Sequence, residues 1–291
     1  MRILFTDIED GVPLDELPSD VFEESVNHLD LAKFKDVEIL SCRSKSKISK
    51  EIMDEFPELK LICTRTVGVD HIDVDYAKSK NIEIFNIPDY GSHAIAEHVF
   101  ALILTGMRKI KQADYKVRNG EFSFSGLKGS SLKGKTLGVL GTGKIGESVI
   151  DIAKGFGMKI IAYDVVKKDG INYVELDELF KDSDVMTLHL PLLDSTKYII
   201  NKESISKMKK EVVLINASRG ELINTKDLIE NKDKFSFIGL DVLENEKKFN
   251  LDHPLLNLDN VLITPHIAFY TEDTIKKTYE LTLKKIKEFA R

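Results

Sequence analysis

The sequence has no tryptophan, only two cysteines, no excess of basic charge, and no apolar run near the roughly 18 residues that cross a bilayer. Each shortage removes a class of protein. Cys42 and Cys63 are too few for a disulfide framework; both fall at the ends of predicted strands, where a small thiol serves as core filler. A net charge of −6 over 291 residues argues against a nucleic-acid partner, whose binders present a basic face. With no membrane run, and with Met1-Arg2-Ile3-Leu4-Phe5-Thr6-Asp7 entering a strand at once, a cytoplasmic protein without a membrane partner is expected. No histidine pair has metal-ligand spacing such as H-E-x-x-H, so no metal is expected. Repeats and low-complexity tracts are missing as well.

What is present centres on Lys135-Thr136-Leu137-Gly138-Val139-Leu140-Gly141-Thr142-Gly143-Lys144-Ile145-Gly146, an apolar run that breaks into glycines and resumes with helical spacing. Gly141 allows a sharp turn, Gly143 a close approach of backbone to a pyrophosphate, and Gly146 tight packing of helix on strand. The free N–H groups at the start of the helix, Lys144 and Ile145 among them, then face the phosphates. A second apolar run, Lys159–Tyr163, ends in Asp164, 23 residues after Gly141. A carboxylate at that distance accepts from the hydroxyls of an adenosine ribose and repels a 2′-phosphate. The cofactor expected is therefore NAD, with Lys167 and Lys168 leaving NADP open.

Residues 1–90 alternate apolar runs (2–6, 37–41, 60–63, 82–86) with polar or amphipathic stretches such as 20–31 and 49–56, the pattern of a parallel sheet with helices on its faces. No phosphate-binding glycines occur there, so this part is expected to contribute the substrate side. The Ser/Lys-rich piece 43–50 reads as a solvated loop, with a substrate role for Arg43 as the lesser reading. Two loops follow strands. In Thr64-Arg65-Thr66-Val67-Gly68-Val69-Asp70, Gly68 could expose N–H groups to an anion, or the loop could be a turn capped by Asp70. In Asn86-Ile87-Pro88-Asp89-Tyr90-Gly91, Tyr90 is a surface aromatic or a wall of the cleft. From Ser92, a candidate cap, a helix apolar nearly all round at Ala94–Leu104 must be buried on several sides, between domains or against a second subunit. Four further strand-like runs (185–190, 212–216, 237–242, 261–264) complete a six-stranded dinucleotide fold. A last amphipathic helix, 271–290, is expected to pack back on the first domain.

Three strand ends in the second half carry polar groups: Asn216-Ala217-Ser218-Arg219-Gly220, Asp241-Val242-Leu243-Glu244-Asn245-Glu246 and Thr264-Pro265-His266-Ile267-Ala268. An arginine can clamp a carboxylate, and a histidine beside a carboxylate can pass a proton to a carbonyl oxygen as hydride arrives. Each residue alone has an equally good bland reading, as a turn residue, a charged surface group or a core histidine; their joint placement favours reduction of a 2-oxo acid. Spacing does not choose between Glu244 and Glu246.

These motifs, with Ala94-Ile95-Ala96-Glu97-His98 and His189-Leu190-Pro191, resemble in order and over nearly the whole chain the D-isomer-specific 2-hydroxyacid dehydrogenases. The resemblance implies an α/β protein of two parallel-sheet domains. A Rossmann dinucleotide-binding domain, 92–266, is inserted into a smaller flavodoxin-like substrate (catalytic) domain, 1–91 and 267–291, with a two-segment hinge and the site in the cleft. It implies Arg219 as the substrate arginine, Glu246 as the histidine's partner and His266 as acid/base. It further implies Asp241 at the nicotinamide carboxamide, His189, Pro191 and Ala217 against the cofactor, and Val67 and Gly68 as backbone receiving the substrate carboxylate. Tyr90 and His266-Ile267-Ala268-Phe269-Tyr270-Thr271 look most like the D-lactate dehydrogenase subgroup, with Phe269 and Tyr90 shaping a small pocket. Glu246 departs from the formate dehydrogenases, which carry glutamine there. The chain ends without the extra regulatory domain of many phosphoglycerate dehydrogenases. Glyoxylate or hydroxypyruvate reduction, oxidation of phosphite or glycerate, and a non-catalytic NAD-sensing module are the alternatives. A homodimer through the cofactor domain is suggested by the resemblance and by the helix at Ala94–Leu104.

Overall fold

Short apolar runs paired side by side build two separate all-parallel sheets. In the computed structural model, which describes residues 1–10, 12, 17 and 20–291, the chain divides into two compact units, Met1–Tyr90 with Tyr270–Arg291, and Gly91–Phe269. The sequence boundaries at 91/92 and 266/267 become 90/91 and 269/270. Residues His266 to Ala268 stay with the second unit because their backbone is tied to Asp241.

The first unit holds β1 (Arg2–Phe5), β2 (Asp20–Val21), β3 (Val37–Cys42), β4 (Leu61–Thr64) and β5 (Glu83–Phe85) in the spatial order 2-1-3-4-5. That is the flavodoxin-like order. Helices α1 (Lys50–Asp54) and α2 (Val74–Ser79) lie between the strands in sequence, and the core gathers Leu4, Leu40, Ile48, Phe56 and Ile62. The stretch 20–31 is not helical: it gives β2, whose Asp20 takes the Arg2 guanidinium at 2.7 Å, and a short 3-10 turn at Val26–His28. The piece 43–50 is solvated only in part, at Ser44, Lys45, Lys47 and Lys50. Arg43 is buried with its Nη1 2.5 Å from Glu9, and Ser46 is buried against Asp7. Arg65, fully buried, donates to Ser41 Oγ and to the Thr6 and Asp7 carbonyls and lies over the Tyr279 ring. Buried charges persist where paired and hydrogen-bonded, and here they knit together the ends of β1, β3 and β4. Both cysteines are buried and free; burial pushes the Cys63 thiol up to about 12 and Cys42 higher still.

The last helix (Glu272–Phe289) belongs to this unit; Thr271 caps it by accepting from the Thr274 N–H, and Ile275, Tyr279 and Ile286 turn inward. Its Tyr279 hydroxyl donates to Glu9, and Lys285 pairs with Glu83.

The second unit begins with α3 (Ser92–Met107). Gly91, not Ser92, is its N-cap residue, and Ser92 is already helical. Much of its apolar surface is buried within its own unit, where Val99, Phe100, Leu102 and Ile103 join a core with the sheet and the helix that follows the glycine motif, while Ala101 is exposed and Ile95 half-buried. After a left-handed Lys109 comes α4 (Ile110–Arg118), of which no residue is buried. The sheet comprises β6 (Thr136–Leu140), β7 (Lys159–Tyr163), β8 (Val185–Leu188), β9 (Val212–Asn216), β10 (Phe235–Leu240) and β11 (Val261–Ile263), in the order 7-6-8-9-10-11. In the standard dinucleotide order a third strand would flank β7. Here that position is reduced to one parallel bridge, Ala162 to Tyr173. Successive residues Val185/Met186, Val213/Leu214 and Phe237/Ile238 enter opposite cores, so both faces are covered and the strands read as unbroken apolar runs. α5 (Lys144–Gly155) lies on one face, and α6 (Leu176–Asp182), α7 (Lys202–Lys207) and α8 (Thr225–Glu230) contribute Leu179, Ile205 and Leu228 to the other.

Candidate active site

The carboxyl ends of β6 to β11 all face the same edge because every pair is parallel, and the order reverses between β6 and β8. Ligands of open α/β sheets gather there. At β6 the chain turns on Gly141, whose φ of +94° suits glycine; a Cβ there would lie 2.5 Å from the His189 carbonyl oxygen. A Cβ on Gly146 would meet the Gly141 carbonyl oxygen at 2.1 Å, so helix and strand approach as closely as backbone allows. Around Gly143, the uncapped start of α5, there is open space, and the first intrahelical bond is Glu147 N–H to Gly143. The N–H groups of Lys144, Ile145 and Gly146 are thereby left without helical partners, as at any helix start.

Asp164 at the end of β7 is turned back on this loop. Its Oδ2 accepts from the Thr142 N–H at 2.6 Å and hydroxyl at 3.1 Å, and its Oδ1 from the Val166 N–H. Partial burial pushes its pKa up, but these donors outweigh burial and hold it below the usual carboxylate range. Lys168, one of two lysines that left NADP open, pairs with Glu147 at 2.9 Å. His189, after β8, bonds Thr187 through Nε2, while its enclosed Nδ1 has no partner among the described residues. Burial pushes it down to about 3, so it is neutral. Open room at Gly143 and unpartnered helix-start N–H groups, beside a turn whose Gly141 packs on the His189 backbone, fit a dinucleotide. Pro191 and Ala217 follow β8 and β9 at this edge; the Ser218 hydroxyl donates to the Leu190 carbonyl and draws those two loops together.

At the other strand ends the polar groups converge. Asn216 donates to the Arg219 carbonyl and accepts from the Ser218 N–H, which shapes the turn carrying Arg219. Gly220 abuts the next turn: an added Cβ would sit 2.0 Å from the Leu243 carbonyl carbon. That turn divides the two glutamates. Glu244 takes the Tyr198 hydroxyl and the Thr225 N–H, whereas Glu246 Oε1 lies 3.1 Å from His266 Nδ1. Burial pushes Glu246 up, and His266, with the Leu243 N–H contact and the Arg219 charge, overcomes it, leaving its pKa lowered. The Phe269 ring meets the His266 ring edge-on at 6.1 Å.

His266 itself has φ +56°. Its N–H donates to the Asp241 carbonyl, and the next two N–H groups, of Ile267 and Ala268, donate to the two oxygens of the Asp241 carboxylate at 2.9 and 2.8 Å. The Thr264 hydroxyl also donates to Asp241, and His98 on α3 reaches both, 3.1 Å from the hydroxyl and 3.5 Å from the carboxylate. Burial pushes Asp241 up, and these donors hold it below its ordinary value. A carboxylate expected at the nicotinamide is thus first of all the clamp of the histidine loop. Sequence reasoning missed this role for His98 and Thr264, and the hold of Thr142 on Asp164, although all three lie within motifs it used.

The first unit carries the other expected residues. Val67 and Gly68 follow β4 and are accessible, with the Val67 carbonyl accepting from Asn86. Tyr90 is half-buried at the end of the following loop.

A sequence model described as "D-isomer specific 2-hydroxyacid dehydrogenase, NAD binding domain" matches residues 100–268. Hydroxypyruvate reductase of Thermotoga maritima is 41% identical over 260 residues, 87% of this chain and 85% of that one. D-3-phosphoglycerate dehydrogenase of Methanocaldococcus jannaschii is 40% identical over 270 residues; the match takes in 90% of this chain but only about half, 51%, of that protein's length. Among solved structures, D-lactate dehydrogenase from Aquifex aeolicus, complexed with NAD and lactic acid, superposes with a TM-score of 0.91 at 39% identity, covering 99% of this chain and 95% of that one. With a Rossmann sheet, a glycine turn fitted to a dinucleotide and a histidine–carboxylate pair at the same edge, the chain belongs to the D-isomer-specific 2-hydroxyacid dehydrogenases, NAD-dependent oxidoreductases of 2-oxo and 2-hydroxy acids.

Proposed function

We propose that the protein reduces a small 2-oxo acid, of the size of pyruvate, to the D-2-hydroxy acid. The observation that carries this reading is the Glu246–His266 pair, 3.1 Å apart on turns fixed by Gly220 and Asp241. Bound NADH supplies the hydride taken up at C2. His266 delivers the proton to the carbonyl oxygen, and Glu246 orients the ring and stabilises its protonated form. Arg219 clamps the substrate carboxylate, and the Val67 and Gly68 N–H groups receive it from their loop. Phe269, against the His266 ring, and Tyr90 limit the side-chain pocket. Gly141, Gly143, Lys144, Ile145 and Gly146 take the pyrophosphate. Asp164 takes the adenosine ribose, and its lowered pKa keeps it charged against a 2′-phosphate. His189, Pro191 and Ala217 would line the cofactor, and Asp241 would hold its carboxamide.

A homodimer through the second unit is supported by Phe122 and Phe124, which are 95% and 92% exposed, close in sequence to exposed Ile110, Tyr115 and Val117 of α4. Two free thiols suit a reducing, cytoplasmic compartment. Among the described residues, no helix is long and apolar enough to cross a membrane.

The test is NADH oxidation with pyruvate, glyoxylate, hydroxypyruvate, 2-oxobutyrate, 2-oxoisocaproate and phenylpyruvate, followed by chiral analysis. Fast turnover of a small acid to the D-isomer supports the reading; preference for phenylpyruvate would move it to a wide-pocket reductase. His266→Ala is expected to lower kcat by about 10²–10⁴, the worth of a general acid, with NADH affinity nearly unchanged. Near-normal turnover would remove His266 from the mechanism.

A further inference from the structure

The loop after β4 is wired so that successive peptides present their N–H groups outward. In a planar trans peptide, N–H and C=O point opposite ways, so a carbonyl held inward turns the following residue's N–H outward. The Thr66 carbonyl accepts from the Ile87 N–H at 3.0 Å, the Val67 carbonyl from Asn86 Nδ2 at 2.6 Å, and the Gly68 carbonyl from the Thr66 hydroxyl at 2.6 Å. The opposite ends of these three peptides are the N–H groups of Val67, Gly68 and Val69. None of the three donates to a protein group among the described residues, and all three residues are accessible.

The third carbonyl is served by an ordered chain. Because Thr66 spends its proton on Gly68, it accepts from Thr64, 2.7 Å away, and Thr64 in turn accepts from Nε2–H of His71 at 3.0 Å. Each accepted hydrogen bond also polarises its peptide and strengthens the N–H at the far end. A tie serving stability alone has no reason to leave three consecutive N–H groups without protein partners.

We propose that Asn86 is a positioning residue for the substrate carboxylate. By holding the Val67 carbonyl it aims and strengthens the Gly68 N–H, and Val69 supplies a third donor beside Val67 and Gly68. This rests on the assignment of Val67 and Gly68 to the carboxylate.

The test compares kcat/KM for pyruvate with that for methyl pyruvate, in which the carboxylate is masked. Asn86→Leu is close in volume and cannot donate. It is expected to lower the acid-to-ester ratio roughly tenfold, as a misaimed donor to a charged group does, with the ester's kcat/KM and the KM for NADH within about twofold. An equal loss for acid and ester, or an unchanged ratio, overturns the proposal. Gly68→Pro, which deletes the N–H itself, separates the two layers. If it leaves the ratio intact, the loop is not the carboxylate's seat. If it collapses the ratio while Asn86→Leu does not, only the role of Asn86 falls. Should Asn86→Leu fail to fold by circular dichroism, Thr66→Val, which unplugs the neighbouring carbonyl, carries the same expectation and the same overturning result.

Discussion

His266 is held in the left-handed region, which costs a residue with a Cβ on the order of 1–3 kcal/mol. It persists because Asp241 accepts from both residues that follow and its own carbonyl takes the His266 N–H. The side chain proposed as acid is thereby aimed by backbone, independently of its partner Glu246. His189 shows the opposite use of a histidine. Its folded pKa of about 3 lies below the ordinary 6.5. Between those values the unfolded chain binds a proton that the folded chain does not, so stability is fully present above about pH 6.5 and is lost as pH falls toward 3. Scanning calorimetry should show the melting temperature dropping through this window, and His189→Asn should flatten the drop. An unchanged slope would mean that the ring is not held neutral in the folded protein.

At the level of elements, the site depends on how closely turns approach one another. Gly220 sits against Leu243 and Glu244 backbone, at 2.0 to 2.4 Å from where a Cβ would be, so no side-chain rotation can make room. Gly220→Ala is expected to destabilise by about 1–3 kcal/mol, as overpacking does, and to lower kcat/KM by parting Arg219 from the turn that carries Glu246. Thermal denaturation and kinetics check both; a wild-type melting temperature with wild-type kinetics would show that the turns can separate freely. The glycine motif works by the same principle, Gly146 against the Gly141 carbonyl. α3, in contrast, spends much of its apolar surface on the core against α5, β9 and β10.

For the whole molecule, the proposed homodimer is expected to use α4 and the loop after it, where Phe122 and Phe124 are exposed. Light scattering on the eluting protein should give twice the monomer mass, and Phe122→Ser with Phe124→Ser should shift it to the monomer. A wild-type monomer would overturn the dimer, and a double variant that stays dimeric would place the interface elsewhere.

Much of this was legible in residue order, because the physics involved is local. Alternating runs imply parallel strands; a glycine-broken strand followed by an acid at the next strand end implies a dinucleotide turn; and a helix with Glu272 and Asp273 in its first turn announces its own start. The α/β class, the NAD cofactor and the order of the motifs follow from such signals. Long-range approach could not be read in this way. The choice of Glu246 over Glu244 depends on where Tyr198 and Thr225 fall after folding. The burial of Arg43 depends on Glu9, 34 residues away, and the clamp on His266 depends on a carboxylate 25 residues before it and a histidine on a distant helix. Charge and spacing alone mark such residues as solvated or reactive. Only the packed fold brings each donor to its acceptor, and that pairing determines which polar side chains serve the chemistry and which hold it in place.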